Sequence, residues 1–173
     1  MGEYSYLQKE AFRKILENPV SKKHIGIIHL EMVRESRSLY GLERLSSPKE
    51  AAEVMEPLIR RADREILLVL SLDSQLEPVA LEIAAVGGVN FCSVDVRNLF
   101  KHAILNNSAS IICYHNHPSG DCEPSREDMA LTRRLEKCGK LLGIPLTDHI
   151  IIGGEGRYVS FAEQGWLTSN GVA

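Results

Sequence analysis

An apolar run from Ala109 to Tyr114 leads directly into two histidines and a proline, and it is the segment that most constrains the fold of this chain. A short run of this kind, rich in isoleucine, is typical of a buried strand. Because residues i and i+2 of a strand point to one face of a sheet, we expect His115 and His117 to point the same way. The segment 118–120, Pro-Ser-Gly, then predicts a turn, since proline cannot continue a strand ladder.

A helix is predicted after this turn, from Arg126 to Leu142. Its apolar positions, which recur at helical spacing, are Leu131, Leu135, Cys138 and Leu142. Gly143 and Pro145 end the pattern. Ser125 is the expected N-cap and Asp128 lies in the first turn, where a capping box and the helix dipole by themselves explain a Ser-x-x-Asp sequence.

His115, His117 and Asp128 also form a candidate set of three metal ligands, because the loop before the helix can return Asp128 to the histidines. Zinc held by three protein groups keeps a position for water and is catalytic, whereas structural zinc is usually closed by four protein ligands. Two histidines and one carboxylate can also hold Fe(II) as a facial triad. The pattern therefore predicts a metal-dependent hydrolase, with an iron enzyme as an alternative.

The motif His115-x-His117-Pro118-x6-Ser125-x2-Asp128 resembles the JAMM signature of MPN-domain metalloproteases at every fixed position. The segments around it, His-Asn-His-Pro-Ser-Gly-Asp, Pro-Ser-Arg-Glu-Asp and Gly-Ile-Pro followed by Asp-His, resemble the bacterial RadC-like branch. The resemblance covers roughly residues 46–167. It implies an α/β fold: a single MPN (JAB/JAMM) domain with a cytidine deaminase-like curved mixed sheet flanked by helices.

The resemblance further implies one zinc ion per chain, bound by His115, His117 and Asp128. It gives Ser125 a role in stabilising the oxyanion. The implied activity is that of a zinc metallopeptidase or isopeptidase whose peptide or isopeptide substrate is unknown.

The same resemblance implies a glutamate near the first strand of the domain, acting as general base on a water activated by the metal. Glu65 is the best match, because it follows a predicted capped helix and directly precedes the predicted strand Ile66–Leu72. Glu82, in the next predicted strand, is the rival candidate. A base must reach the water it deprotonates, and on this requirement we place Glu65 first.

Other residues of interest lie outside the motif. We expect Asp148 and His149 to support the site by hydrogen bonding rather than to bind the ion, because metal-bound histidines need an outer acceptor. Trp166 is expected in the core or an interface. None of the cysteines, Cys92, Cys113, Cys122 and Cys138, has the paired spacing of a zinc ribbon. Cys113 and Cys138 are expected to be packing thiols. Cys122 is a flagged exception, because it lies in the loop between His117 and Ser125, here called the metal loop, where it could approach the ion.

The net charge of −3 gives no overall basic field of the kind that drives nonspecific binding to nucleic acid. The linkage of RadC-like proteins with DNA repair nevertheless leaves a noncatalytic, DNA-associated accessory module as the alternative function. Neither a signal peptide nor an apolar run of membrane length is evident. We therefore expect a cytoplasmic protein without a membrane partner, and the oligomeric state stays open.

The expected organisation is an N-terminal extension (1–45), one RadC-like domain (46–168) and a short tail (169–173). The extension is predicted to hold a helix at Tyr6–Glu17 and a strand at Ile25–Leu30. The predicted domain elements are helix Pro48–Ala62, strands Ile66–Leu72 and Val79–Ala85, helix Asp95–Asn106, strand Ser110–Tyr114, helix Arg126–Leu142, strand Leu146–Ile152 and a last strand around Tyr158.

Overall fold

The structure is a computed structural model, and it describes residues 44–87 and 94–168 together with four residues near the N-terminus. The chain divides into two compact units, residues 1–34 and 35–173. Across the described part of the chain, no helix combines the length and the hydropathy needed to cross a membrane.

In the first unit, the four described residues are helical and fall within the predicted Tyr6–Glu17 helix: Glu10, Arg13, Lys14 and Glu17. Arg13 Nε lies 2.7 Å from Glu17 Oε1, an exposed pair one helical turn apart. The predicted strand Ile25–Leu30, like Cys92 in the second unit, lies outside the described residues.

The described part of the second unit contains three helices and five strands, which confirms the α/β class. Their bounds are α1 Pro48–Ile59, β1 Ile66–Leu72, β2 Pro78–Val86, α2 Val96–Leu105, β3 Ser110–Asn116, α3 Arg126–Leu142, β4 Leu146–Ile152 and β5 Tyr158–Ser160. The bounds predicted for β1, α3 and β4 are confirmed. β3 differs, because its ladder continues two residues past the predicted end, to Asn116, and so includes His115.

The five strands form one mixed, open sheet in the order β2-β1-β3-β4-β5. β1 pairs antiparallel with both β2 and β3, β3 pairs parallel with β4, and β5 pairs antiparallel with β4. β3 is therefore the central strand, and all of its residues are buried. The parallel pair requires a crossover connection, which α3 provides.

Alternation along the strands divides the core into two layers. One apolar cluster joins one face of the sheet to α2 and α3, with members that include Leu67, Val69, Leu99, Phe100, Ile111, Cys113, Leu131, Leu135 and Ile151. The other joins the opposite face to α1, with members that include Met55, Ile59, Leu68, Leu70, Ile112, Tyr114, Ile150 and Ile152. Cys113 is buried and Cys138 packs against the first cluster, as predicted for packing thiols.

Helix α3 begins and ends where its capping residues predict. Ser125 caps it at the N-terminus with a complete capping box to Asp128. Gly143 ends it in the left-handed conformation at φ 71°, a conformation that glycine adopts without steric cost. Near its C-terminus the helix approaches the backbone that enters β4, since a methyl group added at Gly139 would lie 2.6 Å from the Ile144 carbonyl oxygen.

We therefore predict that Gly139→Ala destabilises the protein, although alanine is the better helix former by about 1 kcal/mol. The added methyl group meets backbone that cannot move aside without shifting β4, and overpacking of this kind costs about 1–3 kcal/mol. Urea unfolding measures the difference. Lys140→Ala, at the exposed neighbouring position, is the control and should change the free energy of unfolding by less than about 0.5 kcal/mol. Equal stability of Gly139→Ala and the wild type would contradict the close approach.

Candidate metal centre

Three predicted ligands meet at the end of β3. His115 lies within β3, His117 follows it directly, and Asp128 lies in the first turn of α3. The two Nε2 atoms of the histidines are 3.0 Å apart. Asp128 Oδ1 lies 3.1 Å from His115 Nε2, and Asp128 Oδ2 lies 3.5 Å from His117 Nε2. Among the described residues, these three make up the group of His, Cys, Asp or Glu side chains that could hold a metal ion.

The group is buried but can be reached from one side. The side chains of His115 and Asp128 are 0% and 2% exposed, whereas that of His117 is 14% exposed. Solvent or a substrate would therefore approach past His117. A buried set of three ligands with one accessible side leaves room for a further ligand on a bound ion.

The loop after β3 fixes the orientation of His117. His117 Nδ1 lies 2.8 Å from the backbone oxygen of Asp121, and a carbonyl oxygen only accepts, so Nδ1 carries the proton. When this imidazole is neutral, its Nε2 carries a lone pair that can bind a metal ion, and when it is protonated, Nε2–H donates to Asp128. The backbone of the same loop is tied to the turn after β4 by hydrogen bonds from His117 N to Ile152 O and from Gly154 N to Gly120 O.

Asp128 is at once the capping residue and the candidate ligand. Its Oδ2 accepts hydrogen bonds from the Ser125 backbone N–H at 2.8 Å and from the Ser125 hydroxyl at 2.6 Å. Its own N–H donates to Ser125 Oγ at 3.1 Å. The cap and the ligand set are thus compatible, because the cap holds the carboxylate in place beside the two histidines.

The electrostatics of the group favour an ionised carboxylate. Burial by itself raises the pKa of Asp128, but hydrogen bonds from His115 and His117 and from Ser125 outweigh burial and lower it far below the usual range. The hydrogen bond with Asp128 raises the pKa of His117 in return. Two imidazole nitrogens and a carboxylate therefore converge, and closely spaced lone pairs of this kind require a proton or a cation between them. This donor set fits a divalent metal.

On its other side His115 contacts His149, as the predicted supporting role requires. His115 Nδ1 lies 3.0 Å from His149 Nε2, and His149 Nδ1 lies 2.6 Å from Thr132 Oγ1. Burial lowers the pKa of His149 well below its usual value, so its imidazole is neutral. His149 is not one of the group that could hold the ion.

Asp148, the residue before His149, supports the position of the His149 ring. Its carboxylate accepts hydrogen bonds from Ser160 Oγ at 2.5 Å and from the Ala162 N–H at 2.9 Å. These bonds fix the turn that stacks Phe161 on the ring of His149, with centroids 4.8 Å apart. Trp166 packs edge-on against Phe161 at 5.3 Å and remains 37% exposed, so it belongs to the border of the core.

Glu65 lies beside the group, just before the neighbouring strand β1. It directly precedes β1, in which Leu67 pairs with His115, so the antiparallel register places Glu65 level with His117. Its carboxylate is near enough to contribute to the raised pKa of His117. Glu65 is partly exposed and can therefore reach water.

Glu82, the rival base, is engaged elsewhere. It lies on β2 opposite Val69, further along the sheet than Leu67. Its Oε2 lies 2.5 Å from His102 Nδ1 on α2. Burial lowers the pKa of His102, and the carboxylate of Glu82 opposes this effect. The geometry thus favours Glu65 over Glu82.

Sequence reasoning missed Asn116, the residue between the two histidines. Its Oδ1 accepts a hydrogen bond from the Ile66 N–H at 2.8 Å, and its Nδ2 donates to the Arg64 carbonyl at 3.1 Å. These two backbone groups flank Glu65, so Asn116 fixes the segment that carries the candidate base. A buried polar residue within a strand was the available hint, but its partners lie fifty positions away in the sequence.

Cys122 does not join the ligand group of the described residues. Its sulfur is buried against Gly153, where a methyl group would lie 2.3 Å from Sγ. An open cavity of about 410 Å³ lies beside Cys122, between the metal loop and β5. The lining residues are Asp121, Cys122, Glu123, Gly156, Arg157, Tyr158 and Val159.

A mixed α/β sheet with two histidines at the end of its central strand, completed by an aspartate in the first turn of the next helix, defines a JAB-type domain with a candidate metal site. The model of the RadC-like JAB domain family matches residues 45–166. The chain belongs to this family, which confirms the resemblance found in the sequence.

Similar proteins carry the name UPF0758. The chain is 44% identical over 124 residues to a UPF0758 protein of Methanosarcina mazei, a match covering 72% of this chain and 54% of that protein. It is 43% identical to one of Clostridium acetobutylicum over the same shares of both chains. A protein of Clostridium beijerinckii is 40% identical over 140 residues, 79% of this chain and 61% of its own. The chain thus spans about half the length of the curated relatives it matches.

We predict that Asn116→Ala lowers the free energy of unfolding by about 1–3 kcal/mol, because two partly buried backbone groups lose their partner. Denaturant unfolding gives the value. Asn98→Ala, on the exposed face of α2, is the matched control and should change stability by no more than about 0.5 kcal/mol. A similar small effect for both variants would mean that Asn116 does not hold the start of β1.

Proposed function

We propose that this chain is a zinc-dependent metallohydrolase that cleaves a peptide or isopeptide bond with water as the nucleophile. The observation that carries the proposal is the convergence of His115 Nε2, His117 Nε2 and the Asp128 carboxylate in a buried group open on one side. Zinc is preferred over iron because the complete motif resembles that of the JAMM metalloproteases. A cytoplasmic location belongs to the same proposal.

His115, His117 and Asp128 would hold the ion, and three protein ligands leave a position open. When bound, zinc would supply Lewis acidity, which polarises a carbonyl and lowers the pKa of a coordinated water towards neutrality. Glu65, level with His117 and partly exposed, takes the proton from the attacking water. The same carboxyl group then delivers that proton to the nitrogen of the scissile amide, because this nitrogen must be protonated before it can leave as an amine.

Ser125 would stabilise the negative charge that develops on the scissile carbonyl oxygen. Ser125 is an exposed residue whose hydroxyl donates to Asp128 Oδ2, so a rotation about its side chain turns the same proton towards the oxyanion. The N-terminus of α3 adds the positive end of its dipole at this point. The open cavity beside the metal loop is the proposed place for the substrate chain.

The first prediction from this proposal concerns metal content. Purified wild-type protein should contain about one zinc per chain by elemental mass spectrometry, and His117→Ala should lose it, because two ligands hold zinc far more weakly than three. His102→Ala is the matched control, since His102 contacts Glu82 rather than the ligand group, and should keep its zinc.

The absence of bound metal from the wild type after reconstitution with zinc would contradict the proposal. It would direct attention to the noncatalytic, DNA-associated alternative, for which salt-sensitive DNA binding independent of Asp128 is the test. Iron as the only bound metal would instead indicate facial-triad chemistry.

The second prediction separates the two candidate bases. Glu65→Gln should retain zinc and lose hydrolysis by about 10²- to 10⁴-fold, the usual contribution of a general base. Glu82→Gln should hydrolyse at nearly the wild-type rate. Rates on a panel of peptides and isopeptides that the wild type cleaves, measured beside zinc content, give the comparison. A Glu65→Gln protein as active as the wild type, or an inactive Glu82→Gln protein, would show that the base is misassigned.

A further inference from the structure

The exposed side of α3 carries positive charge only, although the chain as a whole has a net charge of −3. The acidic residues of this helix, Glu127, Asp128 and Glu136, are partly or fully buried. Its exposed charged residues are all basic: Arg126, Arg133, Arg134, Lys137 and Lys140. The fold therefore concentrates positive charge on one helix of a chain that is acidic overall.

Most of these cations follow a single line along the helix. Positions three or four residues apart are neighbours on a helix surface. At this spacing an exposed row, which we call the basic stripe, is formed by Arg126, Ala130, Arg133, Lys137, Lys140 and Leu141. With a rise of about 1.5 Å per residue, the basic stripe is about 22 Å long.

The two ends of the basic stripe differ in their surroundings. Arg126 directly follows Ser125, the residue proposed to stabilise the oxyanion. Leu141, at the other end, is an apolar side chain that is 86% exposed. The basic stripe therefore begins beside the proposed active site and leads from it to an exposed apolar residue.

The four cations of the basic stripe form no ion pair with a described residue. Cations of α1 are arranged differently. Lys49 lies 3.8 Å from Glu53, one helical turn away. Arg60, which caps the end of α1, lies 3.4 Å from Glu56. The basic stripe thus keeps its charge available for a partner outside the described part of the chain.

Helix stability does not account for the first of these cations. Arg126 lies in the first turn of α3, where the positive end of the helix dipole disfavours a cation. A row of unneutralised cations does attract a partner of negative charge and speeds its approach. The charge of the basic stripe is therefore better explained by a partner than by the helix.

Two features favour an acidic protein segment over a nucleic acid as this partner. Protein–DNA interfaces are strongly polar, whereas the basic stripe ends in the exposed side chain of Leu141. Its other end adjoins a site proposed to cleave peptide or isopeptide bonds. At about 3.3 Å per residue, an extended segment of about seven residues covers the length of the basic stripe.

We propose that the basic stripe is an exosite, a binding surface outside the active site, for an acidic extended segment of the substrate. The inference rests on the proposed function and narrows its substrate class. The substrate carries several Asp or Glu residues within about seven residues on one side of the scissile bond. An apolar residue of the segment packs on Leu141. Because the exosite does not touch the reacting atoms, it lowers KM and leaves kcat nearly unchanged.

A synthetic library of randomised peptides, both linear and branched through lysine side chains, tests the substrate class without a known substrate. Mass spectrometry identifies the bonds that the zinc-loaded wild type cleaves. We expect Asp and Glu to be enriched within about seven residues on one side of these bonds. Arg133→Glu combined with Lys137→Glu should replace this acidic preference with a preference for Lys and Arg.

Arg60→Glu combined with Arg61→Glu is the matched control. Both residues are exposed and lie at the end of α1, which packs on the opposite face of the sheet. This control should keep the acidic preference. On an acidic peptide selected from the library, the α3 double variant should lose kcat/KM by about 10-fold or more through KM. Zinc content and circular dichroism check that each variant is loaded and folded.

The outcomes separate the exosite from the proposed function. Cleavage without an acidic preference, or a preference that the α3 double variant leaves unchanged, would overturn the exosite and leave the proposed function intact. Binding of a short DNA duplex that the α3 double variant abolishes, without an acidic preference in cleavage, would assign the basic stripe to nucleic acid instead. No cleavage of any peptide by the zinc-loaded wild type would overturn the proposed function, and the exosite with it.

Discussion

The pleat of β3 is the constraint on which the rest of this site depends. Because alternate residues of a strand share a face, His115 and His117 project towards the layer that contains α2 and α3. β3 pairs in parallel with β4, so the chain must cross over the sheet after the histidines, and it does so as α3. The N-terminus of that helix therefore starts near the carboxyl end of β3, where open α/β sheets place their ligands. Asp128 is brought to the histidines by the topology itself.

The ligand group is held in place by contacts that need no metal. Ser125 fixes the carboxylate of Asp128 through the helix cap, and the backbone of Asp121 fixes the ring of His117. Gly153 allows the loop that carries Asp121 to lie against the turn after β4, since a side chain at that position would collide with Cys122 and with the backbone of the loop. Such preorganisation means that the protein does not have to assemble the site when an ion arrives.

Local sequence was sufficient for the parts of the fold with strong periodicity and clear ends. α3 has an apolar stripe, an N-cap at Ser125 and a C-terminal Gly143, and its bounds are those predicted. α1 is shorter than predicted and ends at Ile59, a boundary that periodicity alone locates poorly. The candidate ligand set was also predictable, because its three members lie within one segment of fourteen residues, from His115 to Asp128.

Contacts between strands could not be predicted from the sequence. The structural role of Asn116 depends on the register of β1 against β3. This register brings its side chain to the backbone on both sides of Glu65. Glu65 and Glu82 both lie at or near predicted strands, and only the packing of α2 shows that Glu82 is engaged by His102. Thr132 lies within the predicted helix α3, and only the packing of this helix on the sheet brings its hydroxyl to His149.

The most direct test of this account is X-ray diffraction from crystals of the zinc-reconstituted protein, with data collected on both sides of the zinc absorption edge. The account predicts one anomalous peak per chain, bonded at about 2.0–2.2 Å to Nε2 of His115, Nε2 of His117 and the Asp128 carboxylate. The electron density should also show His149 in contact with His115 and not among the ligands of the ion. A zinc peak bound by other residues, or no peak among these three side chains, would contradict the central claim that the fold builds a metal centre at the end of β3.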